Sequence, residues 1–419
     1  MRYIFLTRGY HPHPSPSGSL IRNVIEVLAQ VEDVVVLTFA PLATAPSREQ
    51  CDGYEIVRIP IRETRGQRLL GRLNRLHSPI LRRAIPYLSL AQRALHYFVT
   101  LMVPDRGKTS RKQIVANLQL MDLHPEDVLI PCTAEEMIAC LEFREQRLVR
   151  LLPFMLELLP MPNAPNSCIR SLVRRHVRRN DRIERGLIRN SDRIYALPTV
   201  HRHLSDKHHG AQAKLILTEH PMLRDLGPPL MRLGDGIDRL VYAGALDRTT
   251  RNPTYMLDVF NHLLAGTVVD VNLYSYGNCE ALIREPRYAN FVHAHGRVSP
   301  DVAIDAMRHA DFLVTQGNDS ENVTPSKLFD CMSTGRPIIH FYYRDSDPYL
   351  KYLARYGLGH AVRIGSDMVE SASSLRDFMD ASRGTRVDYM SLKRTFPECT
   401  PAHFSDALRQ AHREICSDV

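Results

Sequence analysis

Short apolar runs alternate with helix-patterned stretches along this chain, and at residue 240 the alternation starts afresh. Residues 240–244 read as a strand, 255–264 as a helix and 269–274 as a strand ending in Tyr276-Gly277-Asn278. A strand at 290–293, a helix at 302–308 and strands at 311–315 and 337–340 follow. The earlier half has the same grammar, with strands at 3–7, 34–37, 54–59, 127–130, 193–197 and 215–218 and a helix at 20–28. Strand, helix and strand in alternation build a doubly wound parallel sheet. Two such series in 419 residues predict two α/β domains. They are placed at 1–232 and 233–398, joined through the turn-rich stretch 227–236, with a final helical segment at 399–419.

Composition narrows the class. Hydrophobic residues make up 44% of the chain, which supports sizeable cores. No apolar run is long enough for a membrane-spanning helix. Residues 3–7 read as a first strand rather than a leader. Eight cysteines without a C-x-x-C pair predict buried thiols in a reducing compartment, with no zinc or disulfide framework, and hence a cytoplasmic protein. The net charge of +8 favours anionic partners. Residues 62–83 hold seven arginines among leucines, a pattern suited to an anionic membrane surface or to a solvated helix with a core-facing stripe. Residues 170–189 include Asp181 and Glu184 and read as a salt-bridged surface helix. Neither stretch carries the interleaved aromatics of a nucleic-acid groove, so no nucleic-acid partner is expected.

The densest chemistry lies at residues 322–339. Pro325 has the backbone angle of a first helical turn, and Thr324 or Ser326 can cap it. Lys327 puts a cation beside the positive end of the helix dipole, a poor choice for stability. A lysine, a hydroxyl and free N–H groups at one helix start are what a phosphate site requires. Asp330 follows one turn later on the same face, where a carboxylate can accept hydrogen bonds from sugar hydroxyls. Gly335 ends the helix.

This run, Pro-Ser-Lys-Leu-Phe-Asp-Cys-Met-Ser-Thr-Gly-Arg-Pro-Ile-Ile, resembles the signature of bacterial glycosyltransferases of the retaining, glycogen-synthase-like group. The resemblance implies the GT-B fold, an α/β architecture of two Rossmann-like domains facing a cleft. It implies a metal-independent enzyme whose donor is a nucleotide-diphosphate sugar, with no cofactor. Family members carry two acidic residues separated by seven positions. The second, implied to bind the donor ribose, is Asp330; the first, beside the donor sugar, falls on Asn322, with Glu321 one step out of register.

Three further stretches fit that resemblance. Residues 242–253 resemble the family's strand-loop motif, with Ala245 where an arginine is usual, so Arg251 is the expected phosphate cation and Arg248 the nearby alternative. A guanidinium there can hold a diphosphate bidentately and stabilise the departing nucleotide. Gly296, followed by Arg297 and Val298, resembles the turn that holds the nucleobase, and glycine allows close backbone approach. The loop around His13, closing on Gly18 and Ser19, occupies the place of a small-residue loop that faces the donor. The histidine that often follows a mid-domain strand in the family is absent from 151–157, where Glu157 is the one substitute.

The expected catalytic residues are therefore Arg251 and Lys327, and the expected donor-binding residues Gly18, Ser19, Gly296, Arg297, Asn322, Thr324, Ser326 and Asp330. The acceptor is expected to be a glycan or a lipid-linked sugar. A non-catalytic GT-B subunit of a surface-polysaccharide assembly and a sugar-nucleotide epimerase are the rival functions.

Overall fold

A computed structural model describes residues 1–10, 15–41, 45–60, 107–159, 170–227, 236–264, 266–318 and 326–417. The chain forms two compact units, Met1–Glu219 with Ser405–Val419, and His220–Phe404. The first boundary precedes the expected 232–233 because His220–Gly227 packs with the second unit: the Leu223 amide donates to Cys399 O at 2.9 Å. The second boundary falls after Phe404 rather than at 398–399, inside the last helix.

In the first unit, β1 (Tyr3–Leu6), β2 (Val34–Phe39), β3 (Arg48–Gln50), β4 (Tyr54–Ile59), β5 (Val128–Pro131) and β6 (Arg150–Leu151) form one sheet in the order β3-β4-β2-β1-β5-β6. All of its pairings are parallel except β3 with β4. A smaller parallel sheet joins β7 (Phe154–Met155), β8 (Ile194–Ala196) and β9 (Leu215–Leu217). The helices are α1 (Pro16–Leu28), α2 (Lys108–Leu120), α3 (Ala134–Arg144), α4 (Arg170–Asn190) and α5 (Pro198–Lys207). Ser15 caps α1 by accepting the Gly18 amide at 3.1 Å, which starts the helix four residues before the apolar pattern does.

The second unit has a fully parallel sheet of β10 (Asp238–Leu246), β11 (Val269–Gly277), β12 (Val292–Ala294), β13 (Phe312–Gln316), β14 (Ile338–Tyr342) and β15 (Gly359–Arg363). Their order is β12-β11-β10-β13-β14-β15. One face is closed by α6 (Thr254–Leu263) and, later in the chain, α10 (Met368–Ser382), whose Phe260, Leu263, Leu375 and Met379 share a core with Leu240, Val271 and Phe312. Between these helices come α7 (Pro300–His309), α8 (Lys327–Ser333) and α9 (Pro348–Tyr356); α11 (Tyr389–Thr395) and α12 (Pro401–Ser417) end the chain. Arg383 anchors the end of α10 to β10 by pairing with buried Asp238 at 2.7 Å. Among the described residues no helix is long and apolar enough to cross a membrane.

Strand order reverses between β10 and β13, because β11 and β12 extend one way and β14 and β15 the other. In an open α/β sheet, the crevice at the carboxyl ends of such a strand pair is where ligands bind. The first unit has its own reversal between β1 and β5.

Candidate functional site

The loops leaving β10 and β13 meet at the reversal in the second unit. Arg251 Nε donates to Asn318 Oδ1 at 2.9 Å and Nη1 to Ala245 O at 3.3 Å. The loop that carries Arg251 is a self-bonded turn: Asp247 accepts the Thr249 and Thr250 amides at 2.9 and 3.1 Å and the Asn278 amide nitrogen at 2.9 Å. Those hydrogen bonds, that of the Thr249 hydroxyl first, pull the Asp247 carboxyl down to about 2. The turn closes with Asp247 and Arg251 exchanging backbone hydrogen bonds at 3.1 and 2.9 Å. Arg248 is held by Asn278 at 2.8 and 3.1 Å on the exposed side. Burial pushes the Tyr242 phenol up to about 12, with Arg251 acting against it.

At β14 a buried polar set supports the same loop. His340 Nδ1 is 2.9 Å from the Thr315 hydroxyl, and Nε2 lies 3.4 Å from Asp347 Oδ2. Asp347 Oδ1 meanwhile accepts the Tyr349 amide at 2.8 Å and caps α9. Gly317 sits so close that a Cβ there would come within 2.1 Å of Asp347 Oδ2. Gln316 Nε2 donates to Asn252 O at 2.7 Å, tying β13 to the loop after β10 a second time. Asn318, Gln316 and Asp347 are members of this site that the sequence does not mark.

Lys327 opens α8, and its Nζ lies 3.3 Å from Asp330 Oδ2. Arg224, far off in sequence, brings Nη2 to 3.6 Å from Asp330 Oδ1, while its backbone amide donates to Ser333 Oγ at 3.2 Å. Asp330 is thus a buried carboxylate flanked by two half-exposed cations. The cation at the positive helix end, unfavourable in isolation, is answered within the helix itself. Ser326 does not cap: its own backbone is helical, at φ −70° and ψ −16°, and its side chain makes no capping bond. Tyr349 takes that place, its hydroxyl accepting the Leu328 amide at 3.2 Å. Burial pushes the Tyr349 phenol up, and the charge of Arg251 opposes it.

Gly296 has φ +72° with open space around it, and the Arg297 guanidinium stands 5.0 Å over the Tyr276 ring. In the first unit the Gly18 amide is taken up by Ser15, and a Cβ on Gly18 would reach 2.2 Å from Gly9 O, which accounts for the glycine by packing alone. Ser19 continues α1, its amide donating to Ser15 O at 2.8 Å. His13, Asn322 and Thr324 lie outside the described residues, as do 62–83. At the first unit's own strand reversal, Arg8 pairs with buried Glu136 at 2.9 Å. Burial raises the Glu136 carboxyl, with Arg8 opposing.

No family model matches the chain, and no curated protein sequence does. The sucrose-phosphate synthase of Thermosynechococcus elongatus superposes with a TM-score of 0.62 at 12% identity over 100% of both chains. An α,α-trehalose-phosphate synthase (UDP-forming) of Burkholderia xenovorans, in complex with glucose-6-phosphate, gives 0.57 at 11% over 99% of this chain and 100% of that one. The E. coli trehalose-6-phosphate protein bound with UDP-2-fluoro glucose gives 0.56 at 10% over 98% and 99%. These likenesses show the fold: two Rossmann-like domains of the GT-B type.

Proposed function

We propose that the chain is a glycosyltransferase that moves a sugar from a nucleotide-diphosphate donor to a carbohydrate acceptor, with the donor held by the second unit. The observation that carries this is the Arg251–Asn318 hydrogen bond of 2.9 Å, which fixes a cation at the strand reversal between β10 and β13. Arg251 and Lys327 take the diphosphate and stabilise the charge that develops as it leaves. Asp330 accepts hydrogen bonds from the ribose, and Gly296 and Arg297 border the base. Asn322, Thr324 and Ser326 complete the donor site of the second unit in this reading. Departure of the diphosphate from the face that the acceptor attacks retains the anomeric configuration. The glycan or lipid-linked acceptor belongs to the first unit, on a cytoplasmic protein whose arginine-rich residues 62–83 contact an anionic membrane. Sugar-phosphate acceptors enter the test because one solved relative carries glucose-6-phosphate.

A donor panel decides the matter. Thermal shift and turnover with UDP-, GDP- and dTDP-sugars should give a stabilising donor that is consumed on addition of an acceptor. Binding without hydrolysis or transfer across the panel would turn the protein into a non-catalytic subunit. Arg251→Ala and Lys327→Ala should each weaken nucleotide-diphosphate affinity at least about tenfold, in keeping with loss of a charge-assisted hydrogen bond, at unchanged fold. Unchanged affinity removes the phosphate role from the residue concerned.

A further inference from the structure

Residues 201–209 hold four histidines in nine positions, a composition that signals metal binding. The helices around them bring carboxylates to meet two of these side chains. On α4, Asp181 and Glu184 stand one turn apart. Glu184 is a buried carboxylate whose Oε2 lies 3.0 Å from His208 Nε2 and whose Oε1 lies 3.1 Å from His203 Nε2. The donor atoms of Asp181, Glu184 and His208 all fall within 4.8 Å of one another. Lys207 fills the centre, with Nζ 2.7 Å from Glu184 Oε2 and 3.3 Å from Asp181 Oδ1. Arg185 holds the other oxygen of Asp181 at 3.0 Å.

We propose that this cluster is a zinc site, with Asp181, Glu184 and His208 as ligands and the Lys207 ammonium as the cation that zinc displaces. Four-coordinate zinc with bonds of about 2.0–2.1 Å sets neighbouring ligands about 3.3 Å apart, close to the 3.0 Å between Glu184 and His208. One imidazole and two carboxylates form a borderline donor set that suits zinc over magnesium or calcium. His203, bonded to the carboxylate oxygen left over, fixes the orientation of Glu184 as an outer partner. Lys207 and Arg185 together balance the two carboxylates, so the exchange is carried by the direct bonds of a dication to three ligands rather than by a charge deficit. Lys207 is one-third exposed and reaches solvent when displaced. The site lies wholly in the first unit and shares no residue with the Arg251 site, so its failure leaves the glycosyltransferase reading untouched.

Equilibrium dialysis of the full chain, stripped with chelator and then titrated with zinc chloride alone, tests the proposal. One zinc per chain should be retained at micromolar concentration, with a rise in Tm that grows with zinc. His208→Ala should weaken retention at least tenfold, whereas a His201→Ala/His209→Ala double variant should leave it unchanged. Lys207→Met removes the competing cation and should bind zinc at least as tightly as the unaltered chain, a retention that misfolding cannot mimic. Retention of no zinc, equal retention by the His208→Ala chain, or loss of zinc by the Lys207→Met chain each leave a salt-bridge network and overturn the site.

Discussion

His220 lies flat on Phe329, with ring centroids 5.2 Å apart at 21°, and is almost wholly buried. Burial, helped by Lys351, brings its pKa down to about 4. The unfolded chain takes up that proton near pH 6.5, so between 6.5 and 4 the unfolded state binds more protons than the native one. Stability is therefore full above 6.5 and declines as pH falls toward 4, by up to about 3 kcal/mol at about 1.4 kcal/mol per pH unit. His220→Phe keeps the stacking and should flatten the decline in urea unfolding between pH 4.5 and 7; an unaltered slope assigns the proton to another group. Gly335 is constrained differently. Its φ of +70° disfavours any side chain, and a Cβ would meet Val387 O at 2.2 Å. Gly335→Ala should lower stability by at least about 2 kcal/mol in the same urea assay.

Elements show how the site is held. The start of α8 rests on a hydroxyl from α9, the Tyr349–Leu328 hydrogen bond. Tyr349→Phe leaves a buried amide without its partner, which costs about 1–2 kcal/mol. It should also weaken nucleotide-diphosphate binding severalfold, read by calorimetry, since Lys327 is carried by that turn. Full affinity in the variant would show that α8 keeps its place without the phenol. Much of this architecture is legible in the sequence: β10, β13 and β14 carry short continuous buried apolar runs, as central parallel strands do, while β11 alternates, burying Val269, Val271 and Leu273. The edge strand β15 escapes notice because Gly-His-Ala-Val-Arg buries little besides Val362. Asn318 and Arg224 are illegible for a different reason. Asn318 matters because β13 lies beside β10, and Arg224 because His220–Gly227 folds onto α8, and both are facts of topology rather than of local pattern. Of the two expected capping hydroxyls, Ser326 makes no cap and Thr324 lies outside the described residues; that α9 supplies Tyr349 to the Leu328 amide is not disclosed by local sequence.

At the scale of the molecule, α12 begins in the second unit and from Ser405 onward belongs to the first. There Arg409 pairs with Glu32 at 2.8 Å, the Tyr195 hydroxyl donates to Ala407 O at 2.8 Å, and His412 packs edge-on to Tyr3 at 6.1 Å. Leu408, Ala411 and Ile415 are buried with them. Deleting 405–419 should destabilise the first unit by about 4 kcal/mol, from the apolar side chains alone. Two-step thermal unfolding should show the first unit's transition lowered and the second's unmoved; a single shifted transition would mean that the units melt together. The same connectivity imposes an order in time. The second unit is one unbroken stretch, whereas the first needs a piece made 185 residues after Glu219, those numbered 220 to 404. At about 5–20 residues per second of synthesis, that delay is roughly 10–40 s. For that interval the first unit stands on the ribosome with the seat of α12 bare, and a chaperone that binds apolar grooves has its opening there, while the second unit is already being completed.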